Sequence, residues 1–153
     1  MKIVVIGAGS ASFGRACVAD ILGQPAMKKL APELVLVDID GPKLARMRRF
    51  AERVKAFRKS RSPIRATTDR LKALPGADYV LISVTRRRFE LWEQDYRIPL
   101  AYGFMQAYGE NGGPGALFHA LRSIHLILPI CRDVERLCPD ALVFNYSNPE
   151  SRV

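Results

Sequence analysis

Five short aliphatic and β-branched runs, at about residues 2–6, 34–38, 64–68, 78–84 and 141–146, recur along this chain with longer, helix-like stretches between them. The run Leu34-Val35-Leu36-Val37-Asp38 is almost wholly apolar, as a parallel strand buried on both faces requires. The intervening stretches read as helices over about 12–22, closed by Gly23, over 41–58, and over 89–101, stopped at Tyr102-Gly103. A longer helix follows Gly113-Pro114-Gly115 and runs to about Leu137, with Pro129 expected to kink or split it. Regular alternation of strand and helix predicts an α/β fold built on a doubly wound parallel sheet. Right-handed crossovers then give the strand order 3-2-1-4-5. With 153 residues the chain suffices for one compact domain, and it is read as one, residues 1–153.

The first strand-to-helix turn, "VVIGAGSASFG" at 4–14, carries the chemical content of that fold. Gly7 and Gly9 fill the first two positions of a dinucleotide fingerprint, one for the tight turn and one for close approach of backbone to a pyrophosphate. Ser12 holds the third position, where a small side chain approximates the glycine that lets helix and strand pack closely, and Gly14 follows two residues later. Alone, the turn is read either as a phosphate cradle, with Ser10 and Ser12 beside it, or as a merely structural corner. The second run decides between them, because it ends in Asp38, where a carboxylate would accept from both hydroxyls of an adenine ribose. Asp40 is assigned instead as the N-cap of the next helix. A carboxylate at 38 repels a 2′-phosphate, so NAD is expected rather than NADP in a Rossmann-like site.

The formal charge is +9, and twelve of the 24 basic residues lie between Lys43 and Lys72. They fall opposite Leu44, Met47, Val54 and Phe57, which recur at core spacing, and so read as a solvated outer face. No interleaved aromatics or nucleic-acid module accompany them, so no nucleic-acid partner is expected. No uninterrupted apolar run reaches transmembrane length, so no membrane partner is expected either. Cys17, Cys131 and Cys138 form neither a disulfide framework nor a zinc pattern, and the expected compartment is cytoplasmic.

Three further blocks go beyond a generic dehydrogenase: "DYRIPLAYGFMQ" (95–106), "ENGGPGALFHALRSI" (110–124) and "PDALVFNYSNP" (139–149). With "GAGSASFG" and "VDID" they resemble, in order and along the whole chain, the family 4 glycoside hydrolases. The resemblance implies NAD and manganese as cofactors, and a glycoside or 6-phospho-glycoside as substrate of a homo-oligomer. It also implies a redox-assisted route outside the two-carboxylate scheme. NAD accepts hydride from C3 of the sugar, a base takes the C2 proton while manganese steadies the enediolate, and the C1 substituent leaves. Water then adds and the hydride returns.

By the same resemblance Asn148 matches the asparagine that contacts sugar hydroxyls near the metal, and Glu110 the acidic residue of the Gly-Pro-Gly block, expected to face the sugar or the cofactor. Asn111 stands where members often carry threonine. Arg122 is read either as an anion contact or, in preference, as an ordinary helix-surface charge, and His119 and His125, six apart, as unable to share a metal. The family's metal-binding cysteine and histidine, and its base, lie beyond the Asn-Pro motif, whereas this sequence ends at Val153. Cys131 and Cys138 precede the motif on a helix and do not replace them. The expectation is therefore a fragment or truncation that binds no manganese, is inactive alone, and leaves apolar surface around strands 4 and 5. Two alternatives stay open: the NAD-binding domain of a 2-hydroxy-acid dehydrogenase, and a non-enzymatic dinucleotide-binding or interaction module.

Overall fold

The computed structural model describes residues 1–110 and 112–149. It divides into two compact units, Met1–Ser83 with Asp133–Asn145, and Val84–Arg132 with Tyr146–Val153.

The first unit holds a five-stranded sheet ordered β3-β2-β1-β4-β5, as the alternation predicts. Its strands are β1 (Lys2–Ile6), β2 (Glu33–Val37), β3 (Ile64–Thr67), β4 (Tyr79–Ile82) and β5 (Leu142–Asn145). All four pairings are parallel, with Ile3 opposite Leu34 on one side and Tyr79 on the other. The central strands are buried on both faces: Val4 and Val5 of β1, and Leu34 and Leu36 of β2, expose 3% or less. Side chains from α1 (Phe13–Gly23) and α3 (Gly41–Arg58) complete one core cluster, Val18 and Leu22 meeting Leu44, Met47 and Ala51. At about 25 cal/mol per Å² of apolar surface removed from water, this burial drives the unit's folding.

Two short helices that the sequence does not announce, α2 (Pro25–Leu30) and α4 (Arg70–Ala73), fill the connections into β2 and β4. Asp40 caps α3 as expected, its carboxylate accepting from the Lys43 amide at 2.9 Å. Phe57 departs from its expected core position. It is 80% exposed with the Arg58 guanidinium 5.5 Å from its ring, and the last buried residue of α3 is Ala51, nearly two turns earlier. The amphipathic stripe thus ends before the last turn of α3.

The second unit is built on α5 (Arg88–Ala101) and most of α6 (Gly113–Leu137). Helix α6 starts at Gly113 rather than after Gly115, because Pro114 sits in the first turn, where a missing N–H costs nothing. It continues through Pro129 as one element, so the expected split does not occur. Cys138 lies just past its end. One 18-residue window of α6 is apolar enough to cross a membrane, although His119, Arg122 and His125 interrupt its apolar residues.

Strand β5 forms an edge of the sheet with Leu142, Val143 and Phe144 all more than 40% exposed. The exposed apolar surface runs along β5 from its first residue, whereas the carboxyl end of β4 is covered, with Ile82 fully buried.

Candidate functional site

At the carboxyl end of β1 the chain turns sharply. Gly7 takes a φ of 85°, a left-handed conformation open to glycine at no steric cost, and the amides of Gly7 and Ala8 both donate to Val37 O, at 2.9 and 3.0 Å. This stitches the turn to the end of β2. Residue 38 is thereby brought beside Gly9. One oxygen of the Asp38 carboxylate accepts from the Gly9 amide at 2.8 Å, and the other from the Asp40 amide at 2.9 Å. Each oxygen keeps a further lone pair for a hydroxyl donor.

Glycine at 9 is required for that contact. A Cβ there would stand 2.7 Å from Asp38 Oδ2 and 2.9 Å from Lys43 Cβ. By its place in the fingerprint Gly9 is expected to allow close approach of a pyrophosphate. In the structure the space its missing side chain leaves is the one through which Asp38 reaches the turn.

The third-glycine role passes from Ser12 to Gly14. Ser12 is exposed at the N-cap of α1 and makes no capping bond, its hydroxyl lying 3.5 Å from that of Ser10. Gly14 is buried, and a Cβ on it would lie 2.2 Å from Ala8 O and 3.2 Å from Met47 Cε. Close packing of α1 on the turn thus depends on residue 14, two positions past the fingerprint slot. The first turn of α1 carries no acidic side chain. The positive end of the helix dipole there favours an anion.

In the second unit the two residues singled out for sugar contact lie together. Asn148 Nδ2 donates to Glu110 Oε1 at 3.3 Å, and Asn148 O accepts from Ser123 Oγ at 2.8 Å. The Asn148–Pro149 peptide is cis. Asn111 lies outside the described residues.

A buried polar cluster that the sequence did not reveal ties the same unit together. Asp95 is 5% exposed, and its Oδ2 accepts from Arg122 and meets His119 Nδ1 at 3.1 Å. Arg122 is therefore no ordinary surface charge: a carboxylate removed from water needs a charged partner, and Arg122 supplies it. Gln106 Nε2 donates to Asp95 O at 2.9 Å. Gly109 and Gly115 lie so close that a Cβ on either would stand within 3 Å of the Asp95 backbone. Pro99, one turn after Asp95 on the same face of α5, is buried with it.

The described residues contain no group of three or more His, Cys, Asp or Glu side chains able to hold a metal ion. All three thiols are raised above the usual cysteine value, chiefly by burial, with Cys17 pushed up to about 11 by burial and by Asp20.

A parallel sheet of this order, with a glycine turn after β1 and a carboxylate after β2, defines a Rossmann-like α/β domain. The chain belongs to the family 4 glycosyl hydrolases, whose pattern it matches over residues 2–153. It is 49% identical over 153 residues to an α-glucosidase of Erwinia rhapontici, covering 99% of this chain and 33% of that protein. It is 35% identical over 155 residues to a 6-phospho-β-glucosidase of Escherichia coli, covering 100% and 34%. Among solved structures, a 6-phospho-β-glucosidase of Thermotoga maritima with NAD and glucose-6-phosphate superimposes with a TM-score of 0.79 at 28% identity, over 97% of this chain and 34% of that one. The chain therefore spans about a third of the length of these relatives. Malate dehydrogenase of Salinibacter ruber shares the fold at a TM-score of 0.63 and 17% identity, over 97% of this chain and 37% of that one. That likeness reaches the fold and no further, so the dehydrogenase alternative gives way to family 4.

Proposed function

We propose that this chain is the NAD-binding part of a glycosidase that cleaves O-glycosidic bonds by redox-assisted elimination and addition. The observation that carries this reading is the Asp38 carboxylate, lodged against the Gly9 amide at 2.8 Å at the mouth of the glycine turn. Asp38 would take the adenine-ribose diol on its remaining lone pairs, with the exposed Ile39 offering an apolar surface beside it. Gly7, Gly9, Ser10 and Ser12 would surround the pyrophosphate, with hydroxyls and the α1 amides as donors. Bound there, NAD supplies a reversible hydride acceptor, and the protein's part is position and electrostatics. The 6-phospho-β-glucosidase of Thermotoga maritima, 28% identical, is known with NAD and glucose-6-phosphate and also with manganese beside them, which supports the cofactor and the sugar class.

Glu110 and Asn148 would face the sugar. Asn148, fixed through its carbonyl by Ser123, presents an amide that can donate to a hydroxyl, and Glu110 offers an acceptor beside it. Manganese does not fit the described residues: a carboxylate and a neutral amide fall short of the ligand set a divalent transition metal needs. The expectation is that the 153-residue chain binds NAD without turning over glycosides, and that metal, base and oligomer contacts belong to a longer polypeptide of the relatives' length.

The test uses such a polypeptide carrying this segment, assayed in D2O on nitrophenyl glycosides, plain and 6-phosphorylated. Elimination through C2 places deuterium at C2 of the released sugar. Aglycone release with hydrogen retained at C2 would rule out the elimination route.

A further inference from the structure

The buried Asp95 cluster has one member that faces a cavity. Arg122, held by Asp95, lines a cavity of about 550 Å³ within the second unit, together with Arg86, Arg87 and His125. The remaining walls are Leu91, Phe118, Leu121 and Leu126. No carboxylate and no amide side chain lines it, so its polar side chains are mainly donors.

The charges do not cancel. Arg87 pairs with Glu90 and Arg122 with Asp95, while Arg86 has no carboxylate within ion-pair distance among the described residues. His125 adds a further ring N–H donor. Arg87 also sits at the start of α5 with a φ of 46°, an uncommon conformation for a residue with a side chain. The recess is open to solvent, with Phe118 58% and Leu121 53% exposed, so the uncompensated guanidinium attracts an anion chiefly through the concentration of like charge beside it. Arginine forks suit planar or tetrahedral oxyanions, and the leucine and phenylalanine walls suit an apolar body.

We propose that this cavity is a binding site for a small organic oxyanion carried on an apolar body, of the aryl phosphate or aryl carboxylate class. The oxyanion sits among Arg86, Arg87 and Arg122, and the apolar body lies against Phe118 and the leucines. This site is independent of the NAD reading, because its probes contain no nucleotide and its residues are not those of the glycine turn.

The experiment titrates the 153-residue chain with phenyl phosphate, benzoate, inorganic phosphate and the uncharged benzyl alcohol, followed by backbone amide shifts in heteronuclear NMR. Saturable binding of phenyl phosphate is expected, with shifts centred on residues 86–91 and 118–126. Benzoate should bind more weakly, and inorganic phosphate and benzyl alcohol at least about tenfold more weakly than phenyl phosphate. Arg86→Gln, at an exposed position that cannot unfold the unit, should weaken phenyl phosphate about tenfold, and Phe118→Ser should weaken it while sparing inorganic phosphate. The proposal is overturned if benzyl alcohol matches phenyl phosphate, if Arg86→Gln leaves affinity unchanged, or if the shifts fall outside this cavity.

Discussion

Replacing Gly14 with alanine isolates the contact on which the glycine turn depends. In an ordinary helix this change stabilises by about 1 kcal/mol, because glycine has the higher backbone entropy to lose. Here the new Cβ would lie 2.2 Å from Ala8 O, so α1 and the turn must separate by about 0.8 Å to reach even 3.0 Å. The obstructing atom is a backbone carbonyl, and its own amide is held to Val37 O at 3.0 Å. Met47 Cε, at 3.2 Å, blocks a sideways escape. Overpacking of this kind costs about 1–3 kcal/mol, and a rigid obstacle places it at the upper end. Offsetting the helix gain leaves a net loss of about 2 kcal/mol, which lowers a urea midpoint by roughly 1 M. Gly41→Ala is the control, since its Cβ meets only Thr68 Cγ2 at 3.9 Å and should change stability by less than about 0.5 kcal/mol. Urea unfolding followed by circular dichroism makes the comparison. A Gly14→Ala midpoint equal to or above the wild type would refute the assignment of close packing to residue 14.

Asp133 accepts from Arg136 and Arg70, which hold its carboxyl below the usual carboxylate range. A depressed folded-state value contributes stability above about pH 4 and loses it as pH falls through that value. Asp133→Asn should therefore lower the urea midpoint at pH 7 by an amount that shrinks towards pH 3, and a constant gap would contradict the pairing. Cys17, raised to about 11, should react with iodoacetamide far more slowly at pH 7.5 than a free thiol, and mass-mapped alkylation that labels Cys17 first would contradict its burial. The exposed edge strand β5 should make the chain self-associate, and Val143→Lys should reduce this in sedimentation velocity. Unchanged sedimentation in that variant would remove β5 from the contact.

Much of the fold was legible because the strands carry their own signature. Leu34 to Val37 is apolar on both faces, and only a sheet covered on both sides accommodates that. Strand order followed from the handedness of the crossovers. What escaped was short or non-local. Helices α2 and α4, six and four residues long, are held by their neighbours rather than by an amphipathic period of their own. Asp95 and Arg122 look like solvated helix charges in sequence, since nothing local shows that two helices bring them together as a buried pair. Gly7, Gly9 and Asp38 were recognisable because a turn and a strand end fix their relative places. The exchange of roles between Ser12 and Gly14 was not, because it depends on where α1 sets down against Ala8.

The central claim, that Asp38 and the glycine turn form an NAD site, is tested most directly by calorimetric titration of the chain with NAD and with NADP. A single NAD should bind per chain. NADP should bind at least about tenfold more weakly, because its 2′-phosphate meets the Asp38 carboxylate and the hydrogen bond lost there is worth about 1.5–3 kcal/mol. No heat with NAD, or equal affinity for the two dinucleotides, would contradict it.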